Sequence, residues 1–262
     1  MININKTVII KSKNINNLKI EDAILVVGLP GFGGIGAIIT ELLINQFKAI
    51  KIATLYSNQF PPNVLMLENG EIKFLDNSFY FIKLPNKKNN LIILTGDTQP
   101  ITPEGQYETN SKIIDFFKKE FKGNFILTIG GYMQQDSEVK IPKVFGNVTN
   151  KKLIERFKNY GIIFNHSKGP IYGSLGLLMA FAQSSKIDGL CLMGEVQNIE
   201  IDPNAVKSVI VILNKLLNIN IDTKEVDNLI KSIDKANAQV LQGLNTSPPR
   251  NDDENLQPSY IR

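Results

Sequence analysis

"AILVVGLPGFGGIGAIITELLINQF", residues 23–47, decides what kind of fold this chain adopts. Residues 23–28 form an apolar run with no polar alternation, the pattern of a strand buried on both faces of a parallel sheet. After the run come Gly31, Gly33 and Gly36 in the order G-x-G-x-x-G. Beyond them Ile35, Ile38, Ile39, Leu42, Leu43 and Phe47 recur at three- and four-residue spacing, which predicts a helix with one stripe against a sheet. Strand, glycine turn and helix in that order make the first half of a βαβ unit.

The same glycine spacing occurs in dinucleotide-binding turns, but such a site also needs an acidic residue about 20 positions on, at the end of the second strand. Here that strand, "IKIATLY", runs into "SNQ" with no carboxylate, and Pro30 disturbs the turn itself. The residues therefore read as structural. Gly31, Gly33, Gly34 and Gly36 are expected to supply positive φ values and to let the helix pack closely on the sheet. No cofactor is expected. An anion at the helix N-terminus stays open, because free N–H groups and the helix dipole favour negative charge there. "GGIGAII" (33–39) is echoed by "GSLGLLM" (173–179), so Gly173 and Gly176 join the first set as turn or anion-binding candidates whose helix starts could approach each other.

Working outward, "TVIIK", "LIILTG", "FILTIGG", "VFGNVT", "GIIFN" and "GLCLMG" read as strands, and residues 64–84, broken by "ENGE" and "DNS", as a hairpin or meander. Helices are expected after Pro103, over "NKKLIERFKNYG", from about 173 to 185, after Asp202 as N-cap with Pro203 at the first position, and from 224 to 244. The alternation predicts an α/β fold: a mostly parallel sheet covered by helices in three layers, as one domain over 1–244. "NTSPPRNDDENLQPSYIR", 245–262, has tandem prolines, a charge cluster and few apolar residues, and reads as a disordered tail.

The 262 residues are 43% hydrophobic and 21% charged, enough for a large core. The net charge of +4 is spread along the chain without a dense basic stripe, which argues against nucleic acid as a partner. One cysteine, Cys191, and one histidine, His166, exclude an internal disulfide, a thiol-rich metal site and any two-histidine mechanism. No membrane span is expected: the uncharged stretches 23–40 and 169–185 are interrupted by glycine, proline or polar residues. The polar N-terminus is unlike a signal peptide, in keeping with a cytoplasmic chain.

Catalytic groups are sparse. Asp97, Glu104, Asp136, Glu138 and Glu195 fall after expected strands or in loops, where carboxylates act in parallel sheets, but a turn, a helix first turn and a solvated loop account for them as well. His166 reads as a loop residue and Cys191, inside an apolar strand, as a buried small hydrophobe. No catalytic residue and no metal site are assigned.

Taken together, "VVGLPGFGGIGAIITELLI" (26–44), "LTGDTQP" (94–100), "TIGGY" (128–132), "GPIYGSLGLLMAFA" (169–182) and "CLMGE" followed by "DPNAVKSVIVILNKLLNINID" resemble the proteasome assembly chaperone family, the archaeal and eukaryotic relatives of the second proteasome assembly chaperone. The resemblance spans roughly residues 5 to 235. It implies a sandwich like that of nucleoside phosphorylases, a structural role for the glycine turn, binding to proteasome α subunits, and, in archaeal members, homo-oligomers. Some members end in a hydrophobic-tyrosine-X tail that docks between α subunits. This chain ends Tyr260, Ile261, Arg262, with isoleucine where that pattern has tyrosine.

Three functions compete at this level: a binding protein for proteasome assembly; a phosphorylase- or nucleosidase-like enzyme using the glycine turns as an anion site with Asp97 or Glu195 as acid/base; and a homo-oligomeric protein with an unrelated partner. Val206, Val209, Ile210, Leu213 and Leu216, with Val226, Leu229, Ile230 and Ile233, offer more apolar surface than one sheet face covers, which predicts self-association.

Overall fold

The computed structural model describes residues 6–18, 20–84, 90–133, 141–164, 168–197 and 199–231. Its strands are β1 (Val8–Lys11), β2 (Ile24–Val27), β3 (Ile50–Tyr56), β4 (Val64–Met66), β5 (Ile72–Phe74), β6 (Asn77–Ile82), β7 (Leu91–Gly96), β8 (Phe125–Met133), β9 (Val144–Val148) and β10 (Asp188–Val196). The helices are α1 (Ile35–Gln46), α2 (Pro103–Phe121), α3 (Lys152–Phe157), α4 (Ser174–Ser184) and α5 (Pro203–Leu217). Residues 224–231 are also helical. The remainder of the helix expected to residue 244, and the tail 245–262 with Tyr260, Ile261 and Arg262, lie outside the described residues.

Eight strands form one sheet in the order β1-β3-β6-β7-β2-β8-β10-β9, and β4 and β5 pair separately. The central ladders β7·β2, β2·β8 and β8·β10 are parallel, while β1·β3, β3·β6, β6·β7 and β10·β9 are antiparallel. The parallel expectation thus holds at the centre, and β2, β3, β7, β8 and β10 all point the same way. β1 and β9 run against their neighbours at the two edges, and β6 runs against β3 and β7 because no crossover helix separates it from either, the β4–β5 hairpin and residues 83–90 being the connections. "GIIFN" makes a single parallel bridge from Ile163 to Phe145 rather than a strand.

Each central strand serves two cores, which is why its sequence does not alternate. In β2, Leu25 and Val27 meet α2 and α4 on one side, and Val26 meets α1 and α5 on the other. Caps set the helix starts: the Thr102 Oγ1 accepts the Gly105 N–H at 3.0 Å and the Asp202 Oδ1 accepts the Ala205 N–H at 3.0 Å, each ahead of a proline in the first turn. Among the described residues, no helix is long and apolar enough to cross a membrane. Val206, Val209, Ile210, Leu213 and Val226 are buried in this chain's own second core. These five residues of the surface from which self-association was expected are therefore consumed inside the molecule, and Leu216 and Ile230 pack partly buried against the same core; Ile233 lies outside the described residues.

Candidate functional site

In an open α/β sheet the loops at the carboxyl ends of the parallel strands carry the ligand site. Here that end gathers the β2 loop with Gly31–Gly34, the β7 loop with Asp97 and Gln99, the end of β8, the β10 loop up to Asp202, and the start of α4 at Gly173.

Within the β2 loop, Gly33 (φ 68) and Gly34 (φ 64) take the left-handed conformation that lets a tight 3-10 turn feed α1. Gly31 does not: its φ of −177 is extended backbone open to any residue. Gly36 serves close approach instead. A Cβ on it would sit 2.5 Å from the Ile129 carbonyl oxygen and 2.9 Å from the Gly28 Cα. Gly176 plays the matching part in α4, where a Cβ would meet the Ile171 carbonyl oxygen at 2.4 Å.

Two of the loop's donors and one of its carbonyls are engaged within the chain. The Gly33 N–H donates to Ile199 O at 2.7 Å, the Gly34 N–H to Gly31 O at 3.0 Å, and the Asp202 N–H to Gly33 O at 2.9 Å. The Asp202 carboxylate also accepts the Gln197 N–H at 2.8 Å, so one side chain caps α5 and ties down the β10 loop. The two glycine turns sit at the starts of helices on opposite faces of the sheet, and Gln99 joins them. Its Nε2 donates to Pro30 O at 2.7 Å, and its Oε1 accepts the Ser174 N–H at 2.9 Å, taking the first-turn donor of α4. Nothing in the residue type of Gln99 announced this latch, though "LTGDTQP" contains it.

The candidate carboxylates are likewise engaged. Asp97 accepts the Lys73 Nζ at 2.8 Å and the Asp76 N–H at 2.9 Å, fixing the β4–β5 hairpin to the sheet. Burial alone would lower the Lys73 pKa, but its hydrogen bond to Asp97 and the charge of Asp76 outweigh that and raise it. Glu195 is 1% exposed on β10, where its Oε2 accepts the Lys143 N–H at 3.1 Å. Glu104 lies in the first turn of α2, where its charge suits the helix dipole. Cys191 is fully buried, and burial pushes its thiol up to about 11, with Thr128 partly opposing, so it lacks a nucleophilic thiolate. Asp136, Glu138 and His166 lie outside the described residues. Among the described residues, no cluster of three or more His, Cys, Asp or Glu is placed to hold a metal.

What this end of the sheet does present is apolar side chains in water. Phe32, Ile101, Tyr172 and Ile199 are exposed at 48%, 64%, 82% and 55%, each in a loop or turn at the carboxyl ends. Met133 and Ile201 lie exposed beside them. Singly such residues are ordinary; several at one end of the sheet are what a contact surface for a macromolecule would require.

Comparison with known proteins fits this geometry. The sequence model of the PAC2 family matches residues 25–241. The uncharacterized protein MJ1210 of Methanocaldococcus jannaschii is 35% identical over 250 residues, spanning 93% of this chain and 94% of that protein. The crystal structure of Pyrococcus furiosus PbaB, described as an archaeal proteasome activator, is 32% identical with a TM-score of 0.83, covering 90% of this chain and 98% of that one. Pyrococcus furiosus PbaA, described as an archaeal homolog of proteasome-assembly chaperone, shares the fold at a TM-score of 0.76 and 22% identity, covering 92% of this chain and 94% of that one.

Proposed function

The chain belongs to the PAC2 family, and from that premise we propose that it is a binding protein, not an enzyme, that assists assembly of the proteasome core particle or engages its α-subunit ring. One observation carries the reading: the end of the sheet where an α/β enzyme opens a crevice is tied shut by Gln99 and Asp202 and offers exposed Phe32, Ile101, Tyr172 and Ile199 to a partner. The near full-length similarity to PbaB supports the choice of a proteasomal partner.

In this reading the glycine turns are structural, the protein acts as a homo-oligomer in the cytoplasm, and residues 1–244 work as one domain. The tail is a second contact. Tyr260 offers an aromatic anchor and Ile261 an aliphatic one, with Arg262 as their polar neighbour. A contact of three residues is weak alone, but several tails presented to a ring of pockets gain through effective concentration.

The test is capture of α subunits by the purified full-length chain. We expect retention of an α-subunit ring, reduced by Phe32→Glu with Tyr172→Glu and by deletion of residues 260–262. Failure of the wild-type chain to retain α subunits in any assembly state would refute the proposal. Unchanged affinity after the tail deletion would assign the contact to the globular body.

A further inference from the structure

At the amino ends of the parallel strands, the end of the sheet away from the glycine turns, a cavity of about 440 Å³ opens beside the second core. Its floor follows from the strand register. Ile24, Phe125 and Asp188 are Cα partners across β2, β8 and β10, so in these parallel ladders their side chains leave the same face of the sheet. Leu127 and Leu190, two residues further along their strands, share that face and are buried. Leu216 and Leu217 at the end of α5, with Phe157 of α3, complete the apolar lining.

The charged groups, Asp22, Asp188 and Arg156, are exposed at the mouth, with Asn124 on the chain entering β8 between the two carboxylate-bearing strands. Arg156 is held by rings and not by a carboxylate. Its guanidinium carbon lies 5.7 Å from the centre of the Phe125 ring and 5.1 Å from that of Phe157, and the two rings meet edge to face at 6.0 Å. Among the described residues the guanidinium has no hydrogen-bond or ion-pair partner, and neither has the Asp188 carboxylate, although both line one cavity. Asp22 adds a second carboxylate, and its charge also acts on Lys122, which Glu21 binds at 2.9 Å. The end of α5 acts in the same sense as the carboxylates, because the last carbonyls of a helix carry its negative pole.

We propose that this cavity binds a free α-amino acid with a large apolar side chain. Charge makes the selection. A simple anion drawn to Arg156 would meet two carboxylates and the negative pole of α5. A simple amine would pair with Asp188 and leave the guanidinium without an acceptor. A zwitterion satisfies both: its carboxylate accepts from Arg156 and its ammonium donates to Asp188, with Asp22 reinforcing the second contact. One carbon atom separates the two charges of an α-amino acid, which suits protein groups that share a mouth without pairing. The side chain then passes inward over Leu127 and Leu190, where the floor offers no partner to a polar group. Burial of that side chain supplies the affinity that exposed ion pairs alone do not. The site lies at the opposite end of the sheet from the surface proposed for α subunits, and the inference stands apart from that reading.

Isothermal titration of the full-length chain with L-phenylalanine, L-leucine and L-methionine tests this. We expect saturable binding of at least one of them at millimolar concentration or below. For that ligand, the matching amine without the carboxylate and the matching acid without the amine (phenethylamine and 3-phenylpropanoate for phenylalanine) should bind about 10-fold or more weakly, the loss of one charged hydrogen bond. Arg156→Gln and Asp188→Asn, both at the exposed mouth, should weaken the amino acid by a similar factor while the unliganded chain stays folded. Binding of none of the three amino acids would overturn the inference, as would an amine or acid analogue that binds as tightly as its parent. Unchanged affinity in both variants would move the ligand away from this cavity and overturn it too. An amino-acid amide that binds as tightly as the free acid would identify the first residue of a peptide as the ligand, against the free amino acid proposed.

Discussion

Replacing Gly36 by alanine puts the close approach of α1 to the sheet to a quantitative test. The added Cβ would lie 2.5 Å from Ile129 O and 2.9 Å from Gly28 Cα, where about 3.5 Å is needed, so α1 and two strands must separate by several tenths of an ångström. Both obstacles are backbone, and neither can rotate away. Alanine gains about 0.5–1 kcal/mol from its helix preference, while overpacking of this kind costs about 1–3 kcal/mol or more, and here the upper end applies. The net loss is about 2 kcal/mol, which for a chain of this size lowers the melting temperature by roughly 4–8 °C. Gly31→Ala is the control. Gly31 is extended and its nearest new neighbour would be Leu29 O at 3.9 Å, so its stability should stay within about 0.5 kcal/mol of wild type. Calorimetry with urea unfolding checks both. A Gly36→Ala protein that melts with the wild type would refute the packing argument. A rise of several degrees on adding NAD or ATP would restore the nucleotide reading of the loop.

Gln99→Ala should cost about 1–3 kcal/mol, because Pro30 O and the Ser174 N–H lose their shared partner, and hydrogen exchange should rise first in the two loops it joins. Asp202→Ala should cost about 2 kcal/mol by thermal unfolding, since the cap of α5 and the partner of the Gln197 N–H are both lost, whereas Asp202→Asn should retain only the cap, because its Nδ2 cannot accept the second N–H. The Cys191 thiol has its folded pKa raised from 9.0 to about 11, so its contribution is present below pH 9 and is lost as pH rises towards 11. Tyr56 and Tyr80, raised by burial and then by Asp76, act in the same direction. The melting temperature should therefore fall between pH 9 and 11, and fall less in Cys191→Ala; a flat alkaline profile in the wild type would contradict this. Thiol reagents should modify Cys191 only as fast as the chain unfolds.

The parts of this molecule that a linear reading recovers are those whose physics is local. The unbroken apolar run before Gly28 could only be a strand covered on both faces, and Thr102-Pro103 and Asp202-Pro203 could only open helices. Strand direction at the sheet edges was less legible, because it depends on which strand a short loop returns to, as β6 returns beside β3. "GIIFN" has the composition of a strand, yet it meets the outer edge of β9 at one position, where the Gly146 N–H donates to Ile163 O and the Ile163 N–H to Val144 O, both at 2.9 Å. Gln99 illustrates a different limit: an amide becomes a latch only when two loops, 69 residues before it and 75 after it, bring a carbonyl and an N–H within reach. The hairpin shows the third. In "VLM" every residue is apolar, and the sequence cannot say that Leu65 faces the core while Val64 and Met66 face water. That division comes from the pairing of Met66 with Ile72 and from Lys73, whose bond to Asp97 fixes which side of the ribbon turns inward. A charged residue held by one partner thus determines which apolar residues are turned to water, and the surface the hairpin offers is set by the ion pair behind it.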